Sequence, residues 1–361
     1  MKAAVLREAK KPMQIEDVQI SKPGPHEVLI RTAAAGICHS DLHIADGLFP
    51  FPLPTVLGHE SAGVVEAVGS DVRYVQKGDH VITCLSVFCG HCEHCLTGHM
   101  SRCMTDEWAR GPKDEPRLSS ASGKMNQFIN LSSYAEQLLV SEHNIVKIRK
   151  DMPLDKACVI GCGVMTGFGA AIHTAKVEPG STVAVVGCGG IGLSAINGAS
   201  VAGAGRIIAI DMVGSKLNLA KEFGATDVIN AKDGDVVNKV RELTGGGVHY
   251  SFEAIGMKQT AEDCFSMLRA GGVATVIGMI PIGTNIEIHG PELLQEKKMQ
   301  GSMMGSNRFR VDMPRLVDFY LAGRLNLDLL VSHTIKLNEI NEAFDTLRKG
   351  EVARQVIKFD I

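Results

Sequence analysis

Long uninterrupted hydrophobic stretches are missing from this chain of 361 residues. No segment approaches the roughly 18 apolar residues in a row that a membrane helix needs, so no membrane partner is expected. An excess of charge is missing too. The 37 basic side chains face 40 acidic ones, the net charge is -3, and there is no basic tract. That argues against nucleic acid or an anionic membrane as the main partner. The first residues meet charge at Lys2, Arg7 and Glu8, too early for the apolar core of a secretory signal, so the cytoplasm is the expected compartment. Internal repeats and low-complexity tracts are absent, and tryptophan occurs once, as Trp108 in a polar stretch where a surface or interface role is as plausible as a pocket role.

What is present is a chain for about two domains, with 45% hydrophobic and 21% charged residues, enough for a sizeable core. Ten cysteines in a reducing compartment are expected as thiols or metal ligands, not disulfides. Four of them, Cys89, Cys92, Cys95 and Cys103, follow a C-x2-C-x2-C-x7-C spacing, which points to a closed structural zinc site. His91 and His94 lie inside this cluster as alternative ligands, although four thiolates already complete a tetrahedron. Cys84, Cys158, Cys188 and Cys264 sit in apolar or glycine-rich surroundings and read as buried, inert thiols.

The rhythm of the chain changes along its length. Up to about residue 160, short runs such as 28–32, 62–68 and 134–140 read as strands ended by glycine turns, a mostly β domain. Residues 104–133 read as an irregular surface excursion around Gly111-Pro112-Lys113-Asp114-Glu115-Pro116. From 164 to 303, apolar strands at 182–186, 206–210, 227–229, 250–253 and 273–277 alternate with helical patterns such as 215–223, which predicts a parallel sheet covered on both faces. A helix at 314–322 and a last strand at 355–359 are expected to return to the first domain.

Gly187-Cys188-Gly189-Gly190-Ile191-Gly192 matches G-x-G-x-x-G between one of these strands and a helix, and Asp211 ends the next strand. In that context the pattern is a dinucleotide fingerprint: Gly187 for the turn, Gly189 for approach to the pyrophosphate, Gly192 for close helix–strand packing. Asp211 would accept from ribose hydroxyls and repel a 2′-phosphate, which favours NAD over NADP. Lys216 is either a second ribose contact or a solvated lysine. Cys38, His59 and Cys162 are polar or thiol-bearing positions near glycine turns, and spacing alone does not bring them together.

These motifs in this order resemble the zinc-dependent medium-chain alcohol dehydrogenases over nearly the whole chain. The resemblance is carried by Gly36-Ile37-Cys38-His39-Ser40-Asp41, Gly58-His59-Glu60-Ser61-Ala62-Gly63, the cysteine cluster, Gly161-Cys162-Gly163, and the fingerprint with Asp211. Within the family it is nearest the animal and glutathione-dependent formaldehyde classes, through Gly161 to Gly167 and Gly350-Glu351-Val352-Ala353-Arg354. The implied fold is a GroES-like catalytic domain at 1–163 and 304–361 with a Rossmann doubly wound domain at 164–303. Two zinc ions are implied, one catalytic on Cys38, His59 and Cys162 and one structural. Glu60 would stand by the catalytic zinc, Asp41 would orient His59, Ser40 would take the substrate proton and His43 would pass it on. His39, Arg354, Ile255 and Ile277 would join the fingerprint residues and Lys216 around NAD. Phe49, Leu85, Phe128, Ile129, Met279 and Met303 would line an apolar pocket for a small alcohol or aldehyde. A homodimer is implied, with a homotetramer as the alternative, pairing through an edge strand near 299–304. Arg110 is the nearest counterpart of the arginine that serves a glutathione adduct, so formaldehyde oxidation through that adduct is an alternative reading. A zinc-stabilised nucleotide-binding redox sensor is the non-enzyme alternative.

Overall fold

A computed structural model describes every residue except Pro112, Glu351 and Ile361. Two of these, Pro112 of the excursion and Glu351 of the C-terminal motif, thus lie outside the described residues. The chain divides into two compact units, 1–162 with 308–323 and 331–361, and 163–307 with 324–330. The C-terminal boundary differs from the expected one, because 304–307 and 324–330 belong to the second unit.

In the first unit, one sheet runs in the order Ile145–Ile148, His80–Thr83, Glu60–Val68, Glu27–Gly36, Gln355–Lys358 and His333–Ile335. Gln137–Ser141 also pairs with Glu27–Gly36. The long central strand Glu27–Gly36 is buried at nearly every position, and its run of small residues, Ala33-Ala34-Ala35-Gly36, lets neighbours approach closely. Around it, apolar side chains such as Val28, Ile30, Val65 and Leu138 form a closed core. Each such chain, fully buried, contributes roughly 1.5–3 kcal/mol.

A second sheet corrects the expectation of an irregular excursion. Leu118–Ser120 and Gly123–Gln127 form an antiparallel hairpin, and Gly123–Gln127 pairs with Thr55–Val56. The run is too polar and short to alternate visibly, so its pairing is carried by backbone hydrogen bonds, which a side-chain pattern does not report. The expected strand 134–140 begins later, at Gln137. Tyr134 and Ala135 are fully buried ahead of it.

The second unit holds six parallel strands in the order Asp227–Asn230, Arg206–Asp211, Thr182–Val186, Val248–Glu253, Leu268–Val276 and Lys298–Gly301. This is the doubly wound arrangement that the near-continuous apolar strands predicted. The chain starts at Thr182–Val186, runs outward one way, then returns to build the other half, so the switch point lies between Thr182–Val186 and Val248–Glu253. Ligands of such sheets bind outside the carboxyl ends of the strands at the switch. Lys298–Gly301 is an edge strand of this sheet. Among the described residues, no single helix is long and apolar enough to cross a membrane.

Candidate functional site

The first unit gathers Cys38, His59, Glu60 and Cys162 from three separate segments, with one ligand atom of each within 4.8 Å of the others. Cys38 follows the strand Glu27–Gly36 and precedes the short helix His39–Ala45. His59 and Glu60 stand at the start of Glu60–Val68, and Cys162 follows the helical turn Cys158–Gly161. Gly58, just before His59, has φ +93°, and a Cβ there would fall 2.8 Å from the backbone nitrogen of Tyr134. Only glycine meets both demands, which is why the turn that aims His59 carries it.

All four residues are buried. His59 Nδ1 lies 3.1 Å from Asp41 Oδ1, while its Nε2 is buried with no hydrogen-bond partner among the described residues. An orphaned ring nitrogen facing two thiols is costly unless something binds it. The two thiols are shifted in opposite directions. Cys38 is held well below the ordinary thiol range by the hydrogen bond from Cys162, against its burial, with help from His59 and Arg354. Cys162 is raised by the same bond and by burial. Burial opposes the His59 imidazolium, but Asp41 and Cys38 outweigh it and raise the group well above its usual value. Soft sulfur, imidazole nitrogen and sulfur around one point are a donor set for zinc, with Glu60 as a fourth group within reach. The residues therefore fit a zinc ion.

The surroundings assign further side chains. Asp41 is fully buried. It accepts from the backbone N–H of Gly58 at 2.9 Å and from the Tyr134 hydroxyl at 2.9 Å, besides facing His59. Tyr134 was not among the candidates from sequence, where it looks like one more strand aromatic. Ser40 Oγ lies 3.8 Å from Cys38 Sγ. The His43 ring stacks on Phe49 at 5.8 Å, and its buried Nδ1 has no partner among the described residues. His39 is exposed at the helix start. Burial pushes the Glu60 carboxyl up to about 7 even though Arg354 opposes this. Arg354, expected at the pyrophosphate, is buried, 3.3 Å from Glu60 Oε1, and donates to the Ile37 carbonyl at 2.9 Å.

The expected pocket residues fall into different places. Phe128 is buried with its ring edge-on to His59 at 6.0 Å. Ile129 beside it has φ +47°, an uncommon conformation for a β-branched residue and a mark of local strain. Leu85 instead packs against the core of the first sheet. Met279 and Met303 are largely exposed in the second unit, which also carries exposed Ile255 and buried Ile277. Arg110 does not serve as an open anion site. It is paired with Glu27 and donates to Ser21 and to the carbonyls of Lys22 and Glu115.

The cysteine lobe forms a second cluster. Its thiols are half-buried and free. Sulfur separations are 3.9 Å for Cys89–Cys95, 3.8 Å for Cys92–Cys103 and 3.7 Å for Cys89–Cys103. Disulfides need about 2.05 Å. Four sulfurs about 2.3 Å from a tetrahedral zinc lie about 3.8 Å apart, so the thiols are spaced for that ion. The N–H of His91, against burial, brings the Cys89 thiol down to about 6. Trp108 closes the lobe: its indole N–H donates to the Phe88 carbonyl at 3.0 Å, and its ring stacks on His143 at 4.0 Å.

In the second unit, Gly187 has φ +95°, and a Cβ at Gly192 would fall 1.7 Å from the Gly187 carbonyl oxygen, so helix and turn touch. A Cβ at Gly189 would meet nothing within 4 Å, which leaves space above the turn. Gly190 and Ile191 open the helix Gly190–Val201, whose first N–H groups suit a pyrophosphate. Asp211 accepts from the N–H groups of Cys188 at 2.8 Å and Val213 at 3.0 Å, so it braces the turn as well as ending its strand. Lys216 lies in the helix Gly214–Glu222. Glu253, buried at the switch point, accepts from the N–H groups of Ile255 at 3.0 Å and Gly256 at 2.8 Å and sets the turn that carries Ile255. In the sequence Glu253 reads only as a strand end.

Comparison with known proteins gives a consistent result. Residues 24–150 match the model of the alcohol dehydrogenase GroES-like domain, and residues 190–321 match that of the zinc-binding dehydrogenases. The chain is 41% identical to the alcohol dehydrogenase class-3 of Drosophila melanogaster, over 99% of this chain and 97% of that one. It superposes on the crystal structure of an alcohol dehydrogenase zinc-binding domain protein from Burkholderia ambifaria with a TM-score of 0.94 and 38% identity, covering 100% and 99% of the two chains. Benzyl alcohol dehydrogenase from Acinetobacter calcoaceticus gives a TM-score of 0.94 at 36% identity, covering 99% of each chain.

Proposed function

The chain belongs to the zinc-dependent alcohol dehydrogenase family, and on that premise we propose that it interconverts an apolar primary alcohol and its aldehyde with NAD and two zinc ions per chain. The observation that carries this is the buried Cys38–His59–Cys162 cluster with its orphaned His59 Nε2. Those three residues would hold the catalytic zinc, and the lobe thiols the structural one. Zinc held there would supply acidity to a hydroxyl and polarisation to a carbonyl, and a bound nicotinamide would supply the hydride acceptor or donor.

The chain's own residues do the rest. Asp41 fixes the ring of His59 by holding Nδ1, which leaves Nε2 for the metal. Ser40, beside Cys38, receives the hydroxyl proton, and His43, with a free buried Nδ1, passes it toward solvent. Glu60 is a further ligand in waiting, held back by Arg354. Phe128, and Phe49 stacked on His43, supply apolar surface for the substrate. Asp211 supports NAD, since its carboxylate would repel a 2′-phosphate. Asp211→Ala should lower the preference for NAD over NADP, and unchanged discrimination would remove that assignment. The edge strand Lys298–Gly301 is suited to pair with a second copy in a dimer.

The similarity to benzyl alcohol dehydrogenase supports aromatic alcohols within the apolar class. Oxidation of formaldehyde as a glutathione adduct is the second reading, favoured by the likeness to the glutathione-dependent class and weakened by the engagement of Arg110 with Glu27. A panel of aliphatic, terpenoid and aromatic alcohols with NAD and NADP, and formaldehyde with and without glutathione, tests both. Turnover confined to short polyols would sink the first. Glutathione-dependent formaldehyde oxidation above all other rates would establish the second.

A further inference from the structure

The lobe has a feature that a purely structural zinc site does not need. His91, Glu107 and Cys89 each place a ligand atom within 4.8 Å of the others. His91 Nε2 lies 3.1 Å from Glu107 Oε2, and both side chains are exposed, at 69% and 44%. Cys89 belongs to this triad and to the tetrathiolate at once.

The arrangement is held from both sides. His91 sits in the tight turn between Cys89 and Cys92, where the Cys92 N–H donates to Cys89 Sγ at 3.3 Å. Glu107 is next to Trp108, whose indole N–H is bonded to Phe88, the residue before Cys89. The stack of Trp108 on His143 holds that clamp. Glu107 is thereby brought to the mouth of the lobe from beyond its last cysteine.

A closed tetrathiolate has no open position through which a ligand can enter or leave. Free zinc arrives with oxygen ligands, and imidazole and carboxylate suit it at that stage, whereas the four thiols suit it only once they have lost their protons. We propose that Cys89, His91 and Glu107 form a transfer site through which zinc enters and leaves the structural lobe. Capture forms bonds to Glu107 oxygen, His91 nitrogen and Cys89 sulfur in place of water ligands, which leave to solvent with the Cys89 proton. As the ion passes inward, Cys92, Cys95 and Cys103 each form a bond to it and give up a proton. The bonds to His91 and Glu107 break in the same sequence, and these two groups and solvent take the protons. Release runs the same path in reverse.

This inference rests on the reading of the lobe as a zinc site, and the test keeps the two apart. The holoenzyme is incubated with isotopically enriched zinc, and the bound isotope ratio is followed by mass spectrometry together with total zinc per chain. The lobe's phase is the one missing from Cys92→Ser. In His91→Ala/Glu107→Gln that phase should slow by about tenfold or more, the scale on which groups beside a metal's ligands alter its binding, with total zinc unchanged. Each single variant should slow it by less. His94→Ala removes another exposed imidazole of the lobe and should leave the rate alone. An unchanged rate in the double variant, or an equal slowing in His94→Ala, would overturn the transfer site. A wild-type protein with no lobe zinc would overturn the parent reading as well, and the total zinc reveals that before any rate is compared.

Discussion

Cys89, Cys92, Cys95 and Cys103 lie within one short stretch of chain and remain half-buried, whereas Cys38, His59, Glu60 and Cys162 come from three separate segments and are buried throughout. In the lobe, four like donors close on one point and Trp108 fastens the loop that carries them. In the other cluster the donors are mixed, Asp41 braces one of them, and Glu60 waits beside Arg354. A short loop costs little chain entropy to close, so a local cluster needs only a turn and a clamp. A cluster drawn from distant segments needs a folded core behind it, and that core then provides burial and an excluded-water environment for chemistry.

The comparison is most directly broken at its buried member. Cys38→Ser should abolish alcohol oxidation, by at least about 10³-fold, while circular dichroism stays native and total zinc falls by one equivalent. Turnover like the wild type would remove the metal assignment. At the lobe the balance reverses. Cys92→Ser should lower stability by on the order of 4 kcal/mol, the range reached when a metal site is lost, read as a fall in melting temperature with one zinc lost. If activity vanished with no loss of stability, the division of labour between the clusters would be wrong.

A smaller effect sharpens the role of the brace. Tyr134→Phe keeps the buried ring and deletes the hydroxyl that donates to Asp41. Removing a group one step behind a metal ligand costs about 10–100-fold in metal affinity or activity, and this hydroxyl stands one step further back, so a loss of about tenfold in kcat/KM is expected. A control of equal size at the half-buried Tyr250, whose hydroxyl donates to the Lys176 carbonyl in the second unit, should show none.

The smallest effect concerns the segment beyond the lobe. Burial alone would raise the Glu27 carboxyl, but hydrogen bonds from Arg110, the Gly24 N–H and Arg117 outweigh it and hold it below its ordinary value of 4.5. A carboxyl depressed in the folded state adds stability above its unfolded value and loses it as pH falls toward the folded one. Acid denaturation below about pH 4.5 should therefore be shallower in Glu27→Gln than in the wild type, although Glu27→Gln is less stable at pH 7. Parallel acid limbs would show that the Arg110–Glu27–Arg117 knot does not govern this part of the fold.

The residues themselves show which of these features could be read without coordinates. The lobe is visible as a spacing, and the parallel strands of the second unit are visible because strands buried on both faces are apolar almost throughout. Gly192 is visible because only glycine lets the helix meet the Gly187 carbonyl. The hairpin from Leu118 to Gln127 is not visible in the sequence, since its largely polar side chains carry no alternation and its two strands are joined through the backbone. Tyr134 and Glu253 were missed because a hydroxyl or carboxylate that serves a residue far along the chain, or a turn, has no sequence period.

Arg110 and Arg354 show what a resemblance does not report. Each had a role by resemblance, and each is committed to a carboxylate in the fold, Glu27 and Glu60 respectively. A charge seeks the nearest compensating charge once it is buried, and only the packing decides which one that is.

By itself the sequence determined a two-part chain, a doubly wound sheet with its fingerprint turn, and a four-thiol lobe, because each depends on neighbours within a few dozen residues. That Cys38, His59 and Cys162 share one point with Asp41 behind His59 was implied by resemblance and not by spacing, and only the tertiary structure decided that Tyr134 supports Asp41 and that Glu107 reaches the mouth of the lobe. The contacts around His59 join segments far apart in the chain, which the antiparallel pairing of Glu27–Gly36 with Glu60–Val68, shifted in register at two points, brings together.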